Sequence, residues 1–271
     1  MMDRPSGSHS DNDEVKGLFQ SALGCLESDP DSAKKKLREA SSLGCTASMV
    51  LLGDMLIDGT DEEKKEALEL FEKAYRAGDN MGSRNLGYCY AIGLGTEADK
   101  AKAAEWYRIS GEAGNAKAMC NLGVLYMYGH GVEKDPAKAA EWYRRSSEAG
   151  YSRGRTNYAC LLRDGNGAPK DPEKAVYWFE QSGSPRAKRL LAQMYLSGTD
   201  VPKDIPKAKE LLESASSRDR KAMFILGDLI YDEDRTKAVE LFRRSAEKGF
   251  DDAIKRLEEL GFEVPPKNTR F

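Results

Sequence analysis

The chain has 271 residues, 32% of them charged and 40% hydrophobic, with a formal net charge of −3. That balance offers no overall polycation for nucleic acid and no acidic tail, and no apolar run approaches the ~18 residues that a membrane span requires. Residues 1–13, MMDRPSGSHSDND, lack the apolar core of a secretory signal and read as a disordered tail. Val15, Leu18, Phe19, Ala22, Leu23 and Leu26 then recur at i, i+3, i+4 and i+7, the spacing of an amphipathic helix. Asp29-Pro30-Asp31 breaks it. Ala33, Leu37 and Ala40 start a second helix that closes at Gly44, so residues 14–44 read as a capping helical hairpin.

From Cys45 onward the chain repeats itself. Asp79–Gly114 and Asn115–Gly150 are identical at 20 of 36 positions. Self-similarity at a period of about 20–50 residues signals a solenoid. Within one unit, Ala118, Leu122, Leu125 and Tyr126 make one apolar helix face, with Gly123 beside it where a neighbouring helix can approach closely. Gly129-His130-Gly131 stops that helix, and Asp135-Pro136 starts a second as cap and first helical residue. Ala139, Trp142, Tyr143 and Ser146 mark its inward face, and Gly150 closes it in the left-handed conformation. Related columns cover residues 45–249, giving six repeats. A last helix over 250–261 caps the array, and 262–271 is a polar tail.

The unit resembles the Sel-one-like repeat, a relative of the tetratricopeptide repeat. The resemblance rests on Ala118, Asn121-Leu122-Gly123, Tyr126, Gly129-x-Gly131-Val132, Asp135, Lys138-Ala139, Trp142-Tyr143 and Ala149-Gly150. The G-x-G-V insertion and a period drifting between 33 and 36 residues separate it from the fixed 34-residue tetratricopeptide unit. The expected fold is all-α: a right-handed α-solenoid of about six helix-turn-helix repeats between capping helices. Family members typically act as adaptors in protein assemblies. The resemblance therefore implies a non-catalytic scaffold binding a protein or peptide along the concave face, and the composition adds the expectation of a cytoplasmic chain without cofactor, nucleic acid or membrane. The alternatives are a hydrolase of the β-lactam-associated kind linked to one branch of the family, or a self-assembling subunit.

Features suggestive of chemistry carry little weight. The G-x-G loops follow a helix, whereas phosphate-binding loops follow a strand. His9 and His130 are the two histidines, too few for a histidine-rich site. The five cysteines form no C-x-x-C and none of the two-helix staples of the family's secreted branch, so they read as free thiols of a reducing compartment. Ser32-x-x-Lys35, Ser245-x-x-Lys248 and Ser10-Asp11-Asn12 match β-lactamase fragments, but no K-T-G accompanies them. Trp106, Trp142 and Trp178, spaced by 36, read as core, each filling the gap between its own helix pair and the next.

The strongest candidate surface is a column on the first helices. Asn85, Asn121 and Asn157 align there, and Tyr88 lies one turn further along the same face. Asparagine offers both a donor and an acceptor to an extended peptide backbone. Lys117, Arg153, Arg186 and Lys221 form a parallel basic column suited to an acidic segment or a C-terminal carboxylate. The competing reading is that each asparagine bonds the neighbouring helix and the basic residues are solvated.

Overall fold

A computed structural model of the chain describes residues 9–266, and among these it holds fifteen α-helices and no strand. The chain divides between Asp135 and Pro136 into two compact units. The first contains α1 (His9–Cys25), α2 (Pro30–Ser42), α3 (Thr46–Leu56), α4 (Asp61–Arg76), α5 (Asn80–Ile92), α6 (Lys100–Glu112) and α7 (Ala116–Tyr128). The second contains α8 (Pro136–Glu148), α9 (Ser152–Asp164), α10 (Pro172–Ser182), α11 (Pro185–Ser197), α12 (Ile205–Ala215), α13 (Arg220–Ile230), α14 (Arg235–Glu247) and α15 (Asp251–Glu259). Within each unit every helix packs on the next. The α1–α2 hairpin and α15 bracket the repeats.

Helix α1 begins at His9, ahead of the boundary at residue 14, so part of the expected tail is helical. No proline or glycine between His9 and Lys16 stops the helix from extending backwards. The rest of that tail, residues 1–8, and the last residues of the C-terminal tail, 267–271, lie outside the described residues.

Local chemistry sets the helix ends. Asp79, Asp99, Asn115, Asp171, Asp204 and Asp234 each accept a first-turn backbone N–H. Thr60 and Glu63 form a reciprocal capping box, at 3.2 and 3.0 Å. Gly150 has φ +88°, and the Tyr151 N–H reaches back to the Ser146 carbonyl at 3.1 Å, ending the turn in a Schellman arrangement.

The G-x-G loops are packing pads. A Cβ at Gly95 would fall on the Lys64 carbonyl, one at Gly131 on the Lys100–Ala101 peptide, and one at Gly167 on the Pro136 carbonyl. The second glycine thus rests on the first turn of the preceding repeat's second helix. Only a residue without a side chain fits.

The core has one recurring joint. Phe71, Tyr107, Tyr143, Phe179, Leu212 and Phe242 occupy the same place in the second helices and are all at most 3% exposed. In the partner helices Gly53, Gly87 and Gly227 leave a notch that the ring of Phe71, Tyr107 or Phe242 fills so closely that a Cβ would collide with it. Ala159 and Ala192 stand at the same position opposite Phe179 and Leu212.

This corrects the reading of the tryptophans. Trp106, Trp142 and Trp178 are half-buried, one position before the buried plug. One residue along a helix is a rotation of about 100°, enough to turn the indole out of the notch. Trp106 reaches back, edge-on to Tyr75 of the preceding repeat at 4.9 Å, and Trp178 lies against Tyr158 of its own pair at 6.0 Å. Trp142 lies under the Arg145 guanidinium at 4.2 Å.

Candidate ligand-binding face

The asparagine column sits where the helical projection puts it, but its side chains are engaged. Asn85 is buried and donates through Nδ2 to Asp54 of the preceding first helix at 3.0 Å. Asn121 is half-buried and shares a hydrogen bond with the Tyr107 hydroxyl of the preceding repeat. Asn157 accepts at Oδ1 from Arg186 of the following repeat at 3.1 Å. All three stitch one repeat to another.

Two of these stitches change proton affinities. Burial pushes the Tyr107 phenol up to about 12, against the downward pull of Asn121 and Arg84. Loss of water around the Asp54 carboxyl pushes its pKa up, opposed by Arg84, the Asn85 hydrogen bond and Lys117.

On α5 of the first unit the exposed part of this face is apolar. Met81, Tyr88 and Ile92 lie on one side of α5, spaced i, i+7 and i+11, and all three are exposed. Tyr128, in the Ile92 column of the next repeat, is 65% exposed and stacks on His130 at 5.8 Å. Lys117 is exposed and Val124 half-buried beside them. Asn115 donates to the Met81 sulfur at 3.6 Å and so holds the start of the stripe.

In the second unit the same face is basic. Arg153, Arg186 and Lys221 are exposed, and Arg186 and Lys221 lie on one open cleft of about 570 Å³. Sequence reasoning found these two and missed the rest. Arg189 enters from the next turn of α11, Arg218 and Arg220 flank Asp219 in the turn before α13, and Lys248 lies at the C-terminal end of α14. Arg220 donates to the Lys248 and Gly249 carbonyls at 2.7 and 3.2 Å, which fixes its guanidinium against the end of α14. Arg189 pairs with Asp219 at 3.0 Å, both side chains little exposed. All the missed cations fall outside the repeated column: Arg189 one turn further along α11, the others in an inter-repeat turn or at a helix terminus. A charge count over those turns would have been the available signal.

The hydrolase fragments are placed for structure. Ser245 is fully buried and donates its hydroxyl to the Arg220 carbonyl at 2.7 Å, which leaves it no path to a substrate. Ser32 is half-buried in the first turn of α2, and its backbone N–H donates to the Asp29 cap. Ser10-Asp11-Asn12 lies in the first turn of α1.

The sequence profile of the Sel1 repeat matches residues 46–79, 81–115, 116–151, 152–184, 185–219 and 221–250. No curated protein matches the chain. Among solved structures, a protective antigen of uropathogenic Escherichia coli with the same repeat fold superposes with a TM-score of 0.74 at 25% identity. That superposition covers 93% of this chain and 57% of the antigen, so the chain spans little more than half of that protein. A Sel1 repeat protein from Oxalobacter formigenes superposes with a TM-score of 0.71 at 26% identity, over 81% of this chain and 92% of the other. An immunity protein from Pseudomonas aeruginosa, 18% identical over 79% of this chain and 87% of its own, shares the fold with a TM-score of 0.51.

Proposed function

Since the chain belongs to the Sel1 repeat family, whose solenoids commonly serve as protein-interaction scaffolds, we propose that it is a non-catalytic adaptor that binds a protein or an extended peptide on its first-helix face. The observation that carries this is the stripe Met81, Tyr88 and Ile92 on α5. Elsewhere on α5, Leu86 and Cys89 are fully buried, so apolar residues are left outside only along this line. Exposed apolar residues grouped on one face mark interaction surfaces, and aromatic and methionine side chains are favoured there.

Asn85 and Asn121 tie together helices of the first unit that present this surface, and Lys117 adds an exposed charge in the same unit. A cytoplasmic setting is supported by the five cysteines, none of which is in a disulfide. Burial pushes Cys89 up to about 12 and raises Cys160 above its ordinary value, so both remain protonated and unreactive. The described helices include none long and apolar enough to cross a membrane.

The test is affinity capture from native lysate with the wild-type chain beside a Met81→Ala, Tyr88→Ala, Ile92→Ala variant whose helicity is unchanged by circular dichroism. The expected result is a stoichiometric partner held by the wild type and lost by the variant. A partner held equally by both would remove the α5 face from the function.

A further inference from the structure

The cleft of the second unit gathers six cations around a single carboxylate. Elsewhere, cations that reach another helix pair meet carboxylates: from the capping hairpin to repeat one, from repeat five to repeat four and, away from the cleft, between repeats five and six. Lys34 pairs with Glu63 at 2.8 Å, Arg38 with Glu66 at 2.8 Å, Lys207 with Glu180 at 3.4 Å, Lys209 with Glu233 at 2.6 Å and Lys237 with Glu213 at 3.3 Å. At the cleft, Asp219 is the one carboxylate in the lining, and Arg189 already holds it. Arg186, Arg218, Arg220 and Lys221 lie in no ion pair among the described residues. The chain has 45 acidic residues against 42 basic ones, so the shortage is local.

The positions of these cations are costly for the fold. Arg186 and Lys221 are the second residues of α11 and α13, and Arg220 is the first of α13. The helix dipole disfavours positive charge there. Second helices offset their first-turn lysines with the aspartate cap, as in Lys102–Asp99 at 3.8 Å and Lys174–Asp171 at 2.8 Å. Helix α11 is capped by the uncharged Ser184, and the Asp219 cap of α13 is spent on Arg189. Four like charges are thus gathered around one open cavity without a carboxylate partner, although Arg220 leans on the C-terminal carbonyls of α14 and Arg186 on the Asn157 amide oxygen.

We infer that this cleft is a docking site for an acidic segment of a partner protein, about four carboxylate side chains long, and this rests on the scaffold reading above. Three of the four unpaired cations are arginines, whose planar forks match carboxylates in bidentate geometry. A volume of about 570 Å³ suits a short segment. A nucleic-acid backbone instead needs a continuous run of phosphate contacts, and the chain as a whole is negative. Phe250, with the Lys221 ammonium 5.9 Å from its ring centroid, gives the cleft one aromatic wall.

The experiment is a fluorescence-anisotropy titration of the full chain with an acetylated, amidated peptide containing four consecutive glutamates. The glutamine version, the glutamine version with a free C-terminal carboxylate, and a single-stranded oligonucleotide of matched charge run in parallel. The test variant is Arg218→Gln, Lys221→Gln. Both side chains are exposed and make no structural hydrogen bond, so the fold is left intact. A control variant, Lys16→Gln, Lys35→Gln, removes the same charge elsewhere. We expect the glutamate peptide to bind the wild type and the control alike, and to weaken about five- to tenfold in the test variant. Equal binding of the glutamate and glutamine peptides would overturn the inference. So would equal loss in the control variant, preference for the free carboxylate alone, or tighter binding of the oligonucleotide. The Met81, Tyr88, Ile92 variant is expected to bind the glutamate peptide normally, so failure of the cleft and failure of the α5 surface are read separately.

Discussion

The same helix face carries contrasting chemistry on α5 of the first unit and on α9, α11 and α13 of the second. On α5 the second helical residue is Met81, and Tyr88 and Ile92 continue an apolar line. On α9, α11 and α13 that position holds Arg153, Arg186 and Lys221, and the last two border a cleft without a spare carboxylate. Beneath, the frame is shared: an aromatic or leucine plug in a small-residue notch, an asparagine stitch in the middle repeats, a glycine pad on the preceding helix. A repeat array can therefore keep its joints constant and vary only the positions that no neighbour covers.

The sharpest way to break the shared frame is to remove its plug in either unit. Phe71→Ala in the first unit and Phe179→Ala in the second should each cost about 3–5 kcal/mol, measured by urea denaturation. Trp178→Ala, truncating the half-buried neighbour, should cost visibly less. A larger loss at Trp178 than at Phe179 would show that the tryptophan is the true joint.

A smaller effect distinguishes the plugs themselves. Tyr107 carries a phenol where Phe179 has none. Its pKa lies at about 12 against an ordinary value of 10, so the unfolded chain releases the proton first. Its stabilising contribution is complete below pH 10 and is lost as the pH rises toward 12, by at most about 2–3 kcal/mol. Denaturation midpoints of the wild type and Tyr107→Phe should converge over that range. Parallel curves would place the titrating group elsewhere.

The smallest expected change in stability tests the varied surface. Met81→Lys gives α5 the residue type of its counterparts, and it should alter stability by no more than about 0.5 kcal/mol while abolishing capture of a partner held by the apolar stripe. A stability loss well beyond that would mean that Met81 belongs to the frame.

The frame was largely legible in the sequence. The 36-residue spacing, the Asp-Pro starts and the paired glycines locate the helices and their ends, because caps and backbone conformations act over a few residues. Depth was less legible. Column repetition marks a position as shared, and it gave Trp106, Trp142 and Trp178 the same standing as Tyr107, Tyr143 and Phe179. Only the notch opposite decides which ring is enclosed. The asparagine column showed the same limit, since a repeated polar residue can serve a ligand or a neighbour. Two of the six cations that line the cleft were visible, Arg186 and Lys221. Arg218, Arg220 and Lys248 come from chain segments that only helix pairing brings together, and no periodicity links them.

The glycine pads bear on how such a chain changes length. Each of the loops at Gly95, Gly131 and Gly167 carries within its own repeat the surface that seats it on the one before. A duplicated copy of residues 79–114 would therefore arrive with its own docking point and find an acceptable helix start beneath it. Repeat six joins α13 to α14 by the short segment 231–234, without that loop. Tandem gene duplication is thus accommodated wherever the start of a second helix lies beneath the inserted copy. Residues 79–114 and 115–150, identical at 20 of 36 positions, are the kind of pair that such an insertion leaves.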